Sequence, residues 1–302
     1  MKKTLFDKRI YMAGCGGMLG DAFFEVFNKN NDIKCTDIDL NDKWLSYCDF
    51  RNYDEYMDDV KKFRPNYLFH LGAFTDLEYC EKNSEQTYAT NTNSVKNAVS
   101  IANKLSIPIL YISTAGIFDG KKDFYDERDT PNPMGIYAKS KYDGERYVIE
   151  HADKYYICRA GWMMGGKDKD KKFVKKIIDQ LRQGVSELFL VNDKLGTPTY
   201  TIDFANNVNN LIANGNNGLF NMVCQGDTSR LEVGKYIIDY FGLSKNVKII
   251  EVDSDYFKKT YFAPRPASEI LINRNLNLIN MDHMRDWKTS LKEYLDGWDV
   301  EL

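Results

Sequence analysis

The sequence predicts an α/β protein: a doubly wound parallel sheet followed by a smaller carboxy-terminal α/β lobe. Three observations predict it. Short β-rich runs alternate with helical stretches over the first 160 residues, and a glycine-rich loop stands between the first run and the first helix. The 302 residues also contain no repeat, low-complexity tract or linker that would string separate modules together.

The β-rich runs fall at residues 9–12, 33–36, 67–71, 107–112 and 155–158. Between them, residues 53–63 and 84–105 carry apolar positions at helical spacing. Strands separated by helices are joined as parallel crossovers. Beyond residue 160 come a lysine-rich loop at 167–172, a helix to about 184, a strand near 188–191 and a helix from 202. We therefore expect a first domain over 1–160 and a smaller lobe over 161–302, with a segment near 200–225 returning to the first domain.

Composition narrows the partners. The chain balances 41 basic against 44 acidic side chains for a net charge of −3, so it lacks the basic field that holds nucleic acid. The amino terminus begins with two lysines, but Asp7, Lys8 and Arg9 interrupt any signal-like apolar run. No segment approaches the ~18 apolar residues of a membrane span, and a cytoplasmic location with no membrane partner is expected. The six cysteines form no CxxC pair and read as reduced, mostly buried thiols. His70, His151 and His283 are isolated in sequence and read as structural, so no metal site is expected.

The first chemistry-bearing motif is AGCGGMLGDAFFEVF, which sets Gly14, Gly17 and Gly20 after the first strand and at the mouth of a helix. Glycines there permit a tight turn, let backbone approach a pyrophosphate and let helix pack close on strand, while the helix N-terminus supplies partial positive charge. The spacing is GxxGxxG rather than GxGxxG, position 19 being Leu. A plain turn is the alternative, and the flanking strand and helix weigh against it. After the second strand, KCTDIDL places Asp37 about 20 residues beyond the loop, where a carboxylate meets the adenosine ribose hydroxyls and repels a 2′-phosphate. Asp39 competes for that role. Asp49 could receive the adenine amino group or cap the helix before Tyr53.

The second motif is Tyr137 and Lys141 in GIYAKSKYDGERYV, four residues apart and so on one helix face. An ammonium beside a phenol favours phenolate and readies it for proton transfer. Such a pair is commonplace on surface helices. It gains weight from Ser113 and Thr114 at the end of the fourth long strand, on the rim where sheets of this type bind ligands.

With these residues in place, the sequence resembles the extended short-chain dehydrogenases/reductases, and within them the dTDP-4-dehydrorhamnose reductase family. The resemblance runs through GCGGMLG, FHLGAFTDLEYCE, TNTNSVKNA, YISTAGIFDG, PNPMGIYAKSKYDGE, RAGWMMGG, KLGTPTYTIDFA, APRPASEIL and MRDWKTSLKEYL, nearly the whole chain. It implies a Rossmann domain with a substrate-binding lobe, and a catalytic trio of Thr114, Tyr137 and Lys141. It implies that Gly14, Gly17, Met18, Leu19 and Gly20 form the dinucleotide loop and that Gly72 and Ala73 line the cofactor. Thr75 and Trp162 take positions that face the sugar in that family, and Arg265 becomes a candidate diphosphate clamp because a guanidinium matches phosphate geometry.

There are departures. Where the family usually reads STDYVFDG this chain reads STAGIFDG, and Lys172, in KDKDKKF, replaces an Asn. A lysine run of this kind reads as a solvated loop. The changes fall beside the sugar, so they bear on which sugar is taken rather than on the reaction. A 4,6-dehydratase needs an acid and a base after Thr114, where Ala115 and Gly116 stand. The implied activity is NAD(P)H-dependent reduction of the 4-keto group of a nucleotide-activated deoxysugar. NAD(H) is favoured over NADP(H) because no Arg or Lys lies among Ile38, Asp39 and Leu40. The alternatives are a nucleotide-sugar 4-epimerase and a non-catalytic dinucleotide-binding regulatory subunit. The expected partner is the nucleotide sugar, with room for a homodimer.

Overall fold

Alternating side chains of the first strand, β1 (Arg9–Ala13), decide the layering: Ile10 and Met12 enter one apolar layer, Tyr11 and Ala13 the other. A strand covered on both faces belongs to a sheet with helices on each side. The computed structural model, which describes residues 3–300, has that arrangement. The strands β2 (Asp32–Asp37), β3 (Leu45–Tyr47), β4 (Tyr67–His70), β5 (Ile109–Thr114) and β6 (Tyr155–Ala160) pair in parallel with β1 and with one another. Strand Gly218–Asn221 joins β6 in parallel from much later in the chain. The order across the sheet is Gly218–Asn221, β6, β5, β4, β1, β2, β3. The chain thus builds outward from β1 to β3, then returns to build β4 to β6 on the other side. That reversal opens a crevice at the carboxyl ends of β1 and β4.

The flanking helices are α1 (Met18–Phe27), α2 (Tyr53–Phe63), α3 (Leu77–Lys82), α4 (Ser84–Tyr88), α5 (Ser94–Lys104) and α6 (Ile136–His151). Helix α1 packs with helix Thr201–Ala213 on one face, where the rings of Phe23, Phe27, Phe69 and Phe204 meet edge-on, stacked or tilted. Val60, Val99 and Val148 of α2, α5 and α6 fill the other layer. In the small lobe, Trp162–Met164 pairs with Pro198–Tyr200, and Glu187–Val191 with Lys248–Val252. Helices Phe173–Arg182, Arg230–Tyr240 and Trp287–Leu295 complete it. All six cysteines are buried and free. Among the described residues no helix is long and apolar enough to cross a membrane.

Two expectations change here. Residues 84–105 are not one helix: a π turn at Ala89–Asn93 separates α4 from α5. The wider turn sets Asn91 inward, where its amide accepts from Phe74 N–H (2.8 Å) and donates to the Phe74 carbonyl (3.0 Å) and to Ser140 Oγ (3.1 Å). Asp49 does not cap α2. Asn52 does, accepting from Glu55 N–H, while the Asp49 carboxylate is held by the Arg51 fork at 2.7 and 2.8 Å.

The base of α6 is fixed to the sheet by a buried ion pair. Arg159 of β6 donates from Nη2 to Glu145 Oε1 at 2.6 Å and from Nε to Oε2 at 3.1 Å, with both side chains at most 3% exposed. Removing one member strands the other charge, which costs about 3–5 kcal/mol. Glu145→Ala is therefore expected to shift the urea unfolding midpoint downward by that much stability. A midpoint equal to wild type would overturn this account of how α6 is held.

Candidate active site

The glycine loop is built by close approach. Gly14 has φ +81°, and a Cβ there would lie 2.1 Å from the Gly72 Cα, so the ends of β1 and β4 touch backbone to backbone. At Gly20 a Cβ would lie 2.0 Å from the Cys15 carbonyl, which brings α1 tight against the loop. Gly17 begins α1 with open space around it and no side-chain cap, leaving the helix N-terminus facing the crevice. Beside it, Asp37 at the end of β2 accepts from Gly16 N–H (2.8 Å) and Asp39 N–H (3.0 Å). This backbone cradle, with Met18, Leu19 and Ala73 also on its wall, has the shape and donor set that a dinucleotide pyrophosphate requires.

Thr114 ends β5 and Tyr137 lies in the first turn of α6. A Cβ at Gly116 would sit 3.5 Å from Thr114 Oγ1 and 3.9 Å from the Tyr137 ring, so both face one small space that a bulkier residue 116 would occupy. Burial pushes the Tyr137 phenol up to about 12, against a lowering hydrogen bond from Thr114, with Cys80 and Glu269 adding to the rise. Lys141, one turn on, is buried, and its Nζ lies 4.2 Å over the Tyr111 ring. Burial lowers its ammonium to about 7, partly offset by Glu145. Lys141 is not among the groups that move the Tyr137 phenol. Desolvation moves the two groups in opposite directions, and the phenol stays protonated at neutral pH.

In the loop at 167–172, Lys167, Asp168 and Lys171 are exposed as the reading of a solvated run has it, whereas Lys169 and Lys172 depart from it. Lys169 reaches Asp21 at 2.6 Å and also Asp42, bridging the small lobe to α1. Lys172 donates to Thr75 Oγ1 (2.9 Å) and to the Thr75 carbonyl (3.0 Å), with burial lowering its ammonium. Sequence reasoning did not single out Lys172 as a site residue, although its replacement of an Asn was the available signal. Trp162 donates its indole N–H to Glu269 Oε2 at 2.8 Å. Arg265 reaches the cleft wall with its fork already engaged: Nη1 and Nη2 donate to the two Glu78 oxygens at 2.8 and 2.9 Å. The guanidinium expected to clamp a diphosphate is paired instead. His70 is a neutral core group, its ring nitrogens facing Tyr56 Oη and Ser94 Oγ, and burial lowers it to about 3.

The glycine loop, Thr114, Tyr137, Lys141, Trp162 and Arg265 line one continuous cleft of 1120 Å³ between sheet and small lobe. A single small-molecule site runs to about 300–1,000 Å³, so this cleft lies just above that range and takes a ligand of dinucleotide or nucleotide-sugar size. A family model described as the RmlD substrate binding domain matches residues 8–300. The chain belongs to this family. Among its relatives, a dTDP-4-dehydrorhamnose reductase of Aggregatibacter actinomycetemcomitans is 30% identical over 198 residues, a match spanning 65% of each chain. The methionine adenosyltransferase 2 subunit beta of Danio rerio is 25% identical over 244 residues, 78% of this chain and 75% of that one. The crystal structure of dTDP-4-dehydrorhamnose reductase from Bacillus anthracis in complex with NADP superposes with a TM-score of 0.87 at 29% identity, covering 97% of this chain and 100% of that one.

Proposed function

We propose that this chain reduces the 4-keto group of a nucleotide-activated deoxysugar. The observation that carries the reading is the placement of Thr114 and Tyr137 beside Gly116, in the same cleft as the glycine cradle. A nicotinamide dinucleotide, when bound, supplies the hydride. Thr114 orients the carbonyl oxygen, and the protonated Tyr137 phenol gives it the proton as negative charge develops there. Lys141 holds the nicotinamide ribose. Thr75 and Trp162 bound the sugar, and the roles of residues 1–160 as cofactor domain and 161–302 as substrate lobe belong to the same proposal. A homodimer is compatible with it.

The test is loss of reduced-nicotinamide absorbance on adding a dTDP-4-keto-6-deoxysugar. The 25% identity to a methionine adenosyltransferase subunit supports a second reading, a dinucleotide-binding subunit without turnover. Tight NADH binding with no turnover on any nucleotide 4-ketosugar would favour that reading over ours.

For the cofactor, Asp37 beside Gly16, with no basic residue in the next three positions, disfavours a 2′-phosphate. NADH is expected to bind more tightly than NADPH, even though the Bacillus anthracis relative holds NADP. Asp37→Ala should narrow the difference. Dissociation constants showing NADPH tighter by about tenfold, or 1.4 kcal/mol, would overturn this preference.

A further inference from the structure

With Arg265 committed to Glu78, another cation must meet the anionic part of a nucleotide sugar. Arg51 is held by Asp49, and Lys169 by Asp21 and Asp42. Lys171, Lys172 and Lys176 line the cleft without a carboxylate partner among the described residues, Lys172 donating to Thr75 and Lys176 to the Tyr261 hydroxyl, each as a point charge rather than a planar fork. Arg230 differs. It opens helix Arg230–Tyr240, and its guanidinium carbon lies 4.5 Å over the Trp162 ring and 5.0 Å from the Phe173 ring. Among the described residues its side chain makes no hydrogen bond or ion pair. The carboxylate of Glu269 accepts from the Trp162 indole with Oε2 and acts on Arg230 only through space. The guanidinium lies against both rings, and Arg230 is among the residues that line the cleft.

Lys194 lies alongside. Its carbonyl accepts from Arg230 N–H at 3.3 Å, and its Nζ spends one hydrogen on the Arg265 carbonyl at 3.3 Å. Two cations therefore border the cleft here without a carboxylate in contact with either. A planar fork suits bidentate contact with phosphate oxygens, whereas neutral sugar hydroxyls would not repay the desolvation of two charges. The position also fits. The space between Thr114 and Tyr137 meets Glu269 at Gly116, Glu269 holds Trp162, and Arg230 covers the Trp162 ring. The Glu269 carboxylate and the Trp162 indole thus stand between the reacting pair and the guanidinium, and Thr114, Tyr137, Trp162, Glu269 and Arg230 all line the same cleft.

We infer that Arg230, assisted by Lys194, is the diphosphate receptor of this cleft, and that Arg265 is a structural partner of Glu78. The inference rests on the nucleotide-sugar reading above. It is tested by calorimetric titration of thymidine diphosphate, thymidine and NADH into wild type, Arg230→Gln, Arg230→Lys and Arg265→Gln. Loss of a charged hydrogen-bonding partner is expected to weaken thymidine diphosphate binding by roughly 10- to 100-fold in Arg230→Gln. Thymidine and NADH affinities should be unchanged, which also reports that the variant is folded. Arg230→Lys should lie between, keeping the charge but not the planar fork. The salt dependence of thymidine diphosphate binding should flatten in Arg230→Gln, and turnover should show a raised KM with kcat kept. Arg265→Gln should lower the thermal midpoint, because Glu78 loses its partner. Equal thymidine diphosphate affinity in wild type and Arg230→Gln, or equal losses for thymidine and its diphosphate, would overturn the assignment alone. A wild type that binds no nucleoside diphosphate would overturn the nucleotide-sugar reading and the assignment with it.

Discussion

Tyr137→Phe is expected to lower kcat by about 10²–10⁴-fold, roughly 3–5 kcal/mol of barrier, while leaving NADH affinity unchanged. The substitution removes one oxygen and keeps the ring that packs beside Thr114 and Gly116. Its cost is confined to proton delivery, because with the phenol held up near 12 by burial, Tyr137 stands ready as an acid throughout the neutral range. The same shift predicts that turnover in the reductive direction shows no loss assignable to Tyr137 below about pH 11. Single-turnover measurement with a nucleotide 4-ketosugar separates chemistry from product release. A Tyr137→Phe protein that retains wild-type kcat where chemistry is rate-limiting would remove the phenol from the mechanism.

What the sequence conveyed well was local. The strand runs at 9–12 and 155–158 differ from β1 and β6 by one or two residues at their ends, and residues 53–63 match α2, because each is an unbroken apolar pattern read against a single period. The glycine loop was legible for a related reason: its function needs glycine, and the strand and helix that give it meaning adjoin it. The short edge strand β3 offered only three residues of pattern, and the π turn inside 84–105 arises from Asn91 reaching Phe74 and Ser140, partners far away in sequence.

The site's charged residues were misjudged where their partners are distant. Arg265 looked free because Glu78 lies 187 positions away. All of KDKDKK looked solvated because the groups that engage Lys169, Asp170 and Lys172 come from α1, from Thr75 and from Tyr294, whose hydroxyl donates to Asp170 at 3.0 Å and pins the turn before Lys172. Arg230, following Ser229 at the start of a helix, looks like any exposed first-turn residue. Only the folded lobe sets Trp162 and Phe173 against it. Local periodicity specifies elements, whereas the pairing of a charge is a property of the assembled cleft.

Lys141→Met is expected to abolish turnover and yet stabilise the fold. The ammonium is buried over Tyr111 with no carboxylate in hydrogen-bond contact, and burial lowers it from 10.5 to about 7. An unfolded chain therefore holds a proton that the native protein does not between pH 7 and 10.5, so wild-type stability rises with pH across that window, by up to about 1.4 kcal/mol per pH unit. Below pH 7 the penalty of burying the charge is present in full. A methionine of similar length carries no such penalty, so the variant should melt at higher temperature than wild type at pH 7, and the gap should close as pH approaches 10.5. Function should move the other way. The variant loses the group that holds the nicotinamide ribose, so NADH binding weakens along with kcat, unlike the Tyr137→Phe case. Wild-type NADH affinity should fall as pH rises through about 7, while that of the variant stays flat. Thermal melts at several pH values, paired with NADH titrations, decide the matter. A variant that melts below wild type at pH 7, or that binds NADH as wild type does, would show that Lys141 is a packing residue whose charge the cleft does not use.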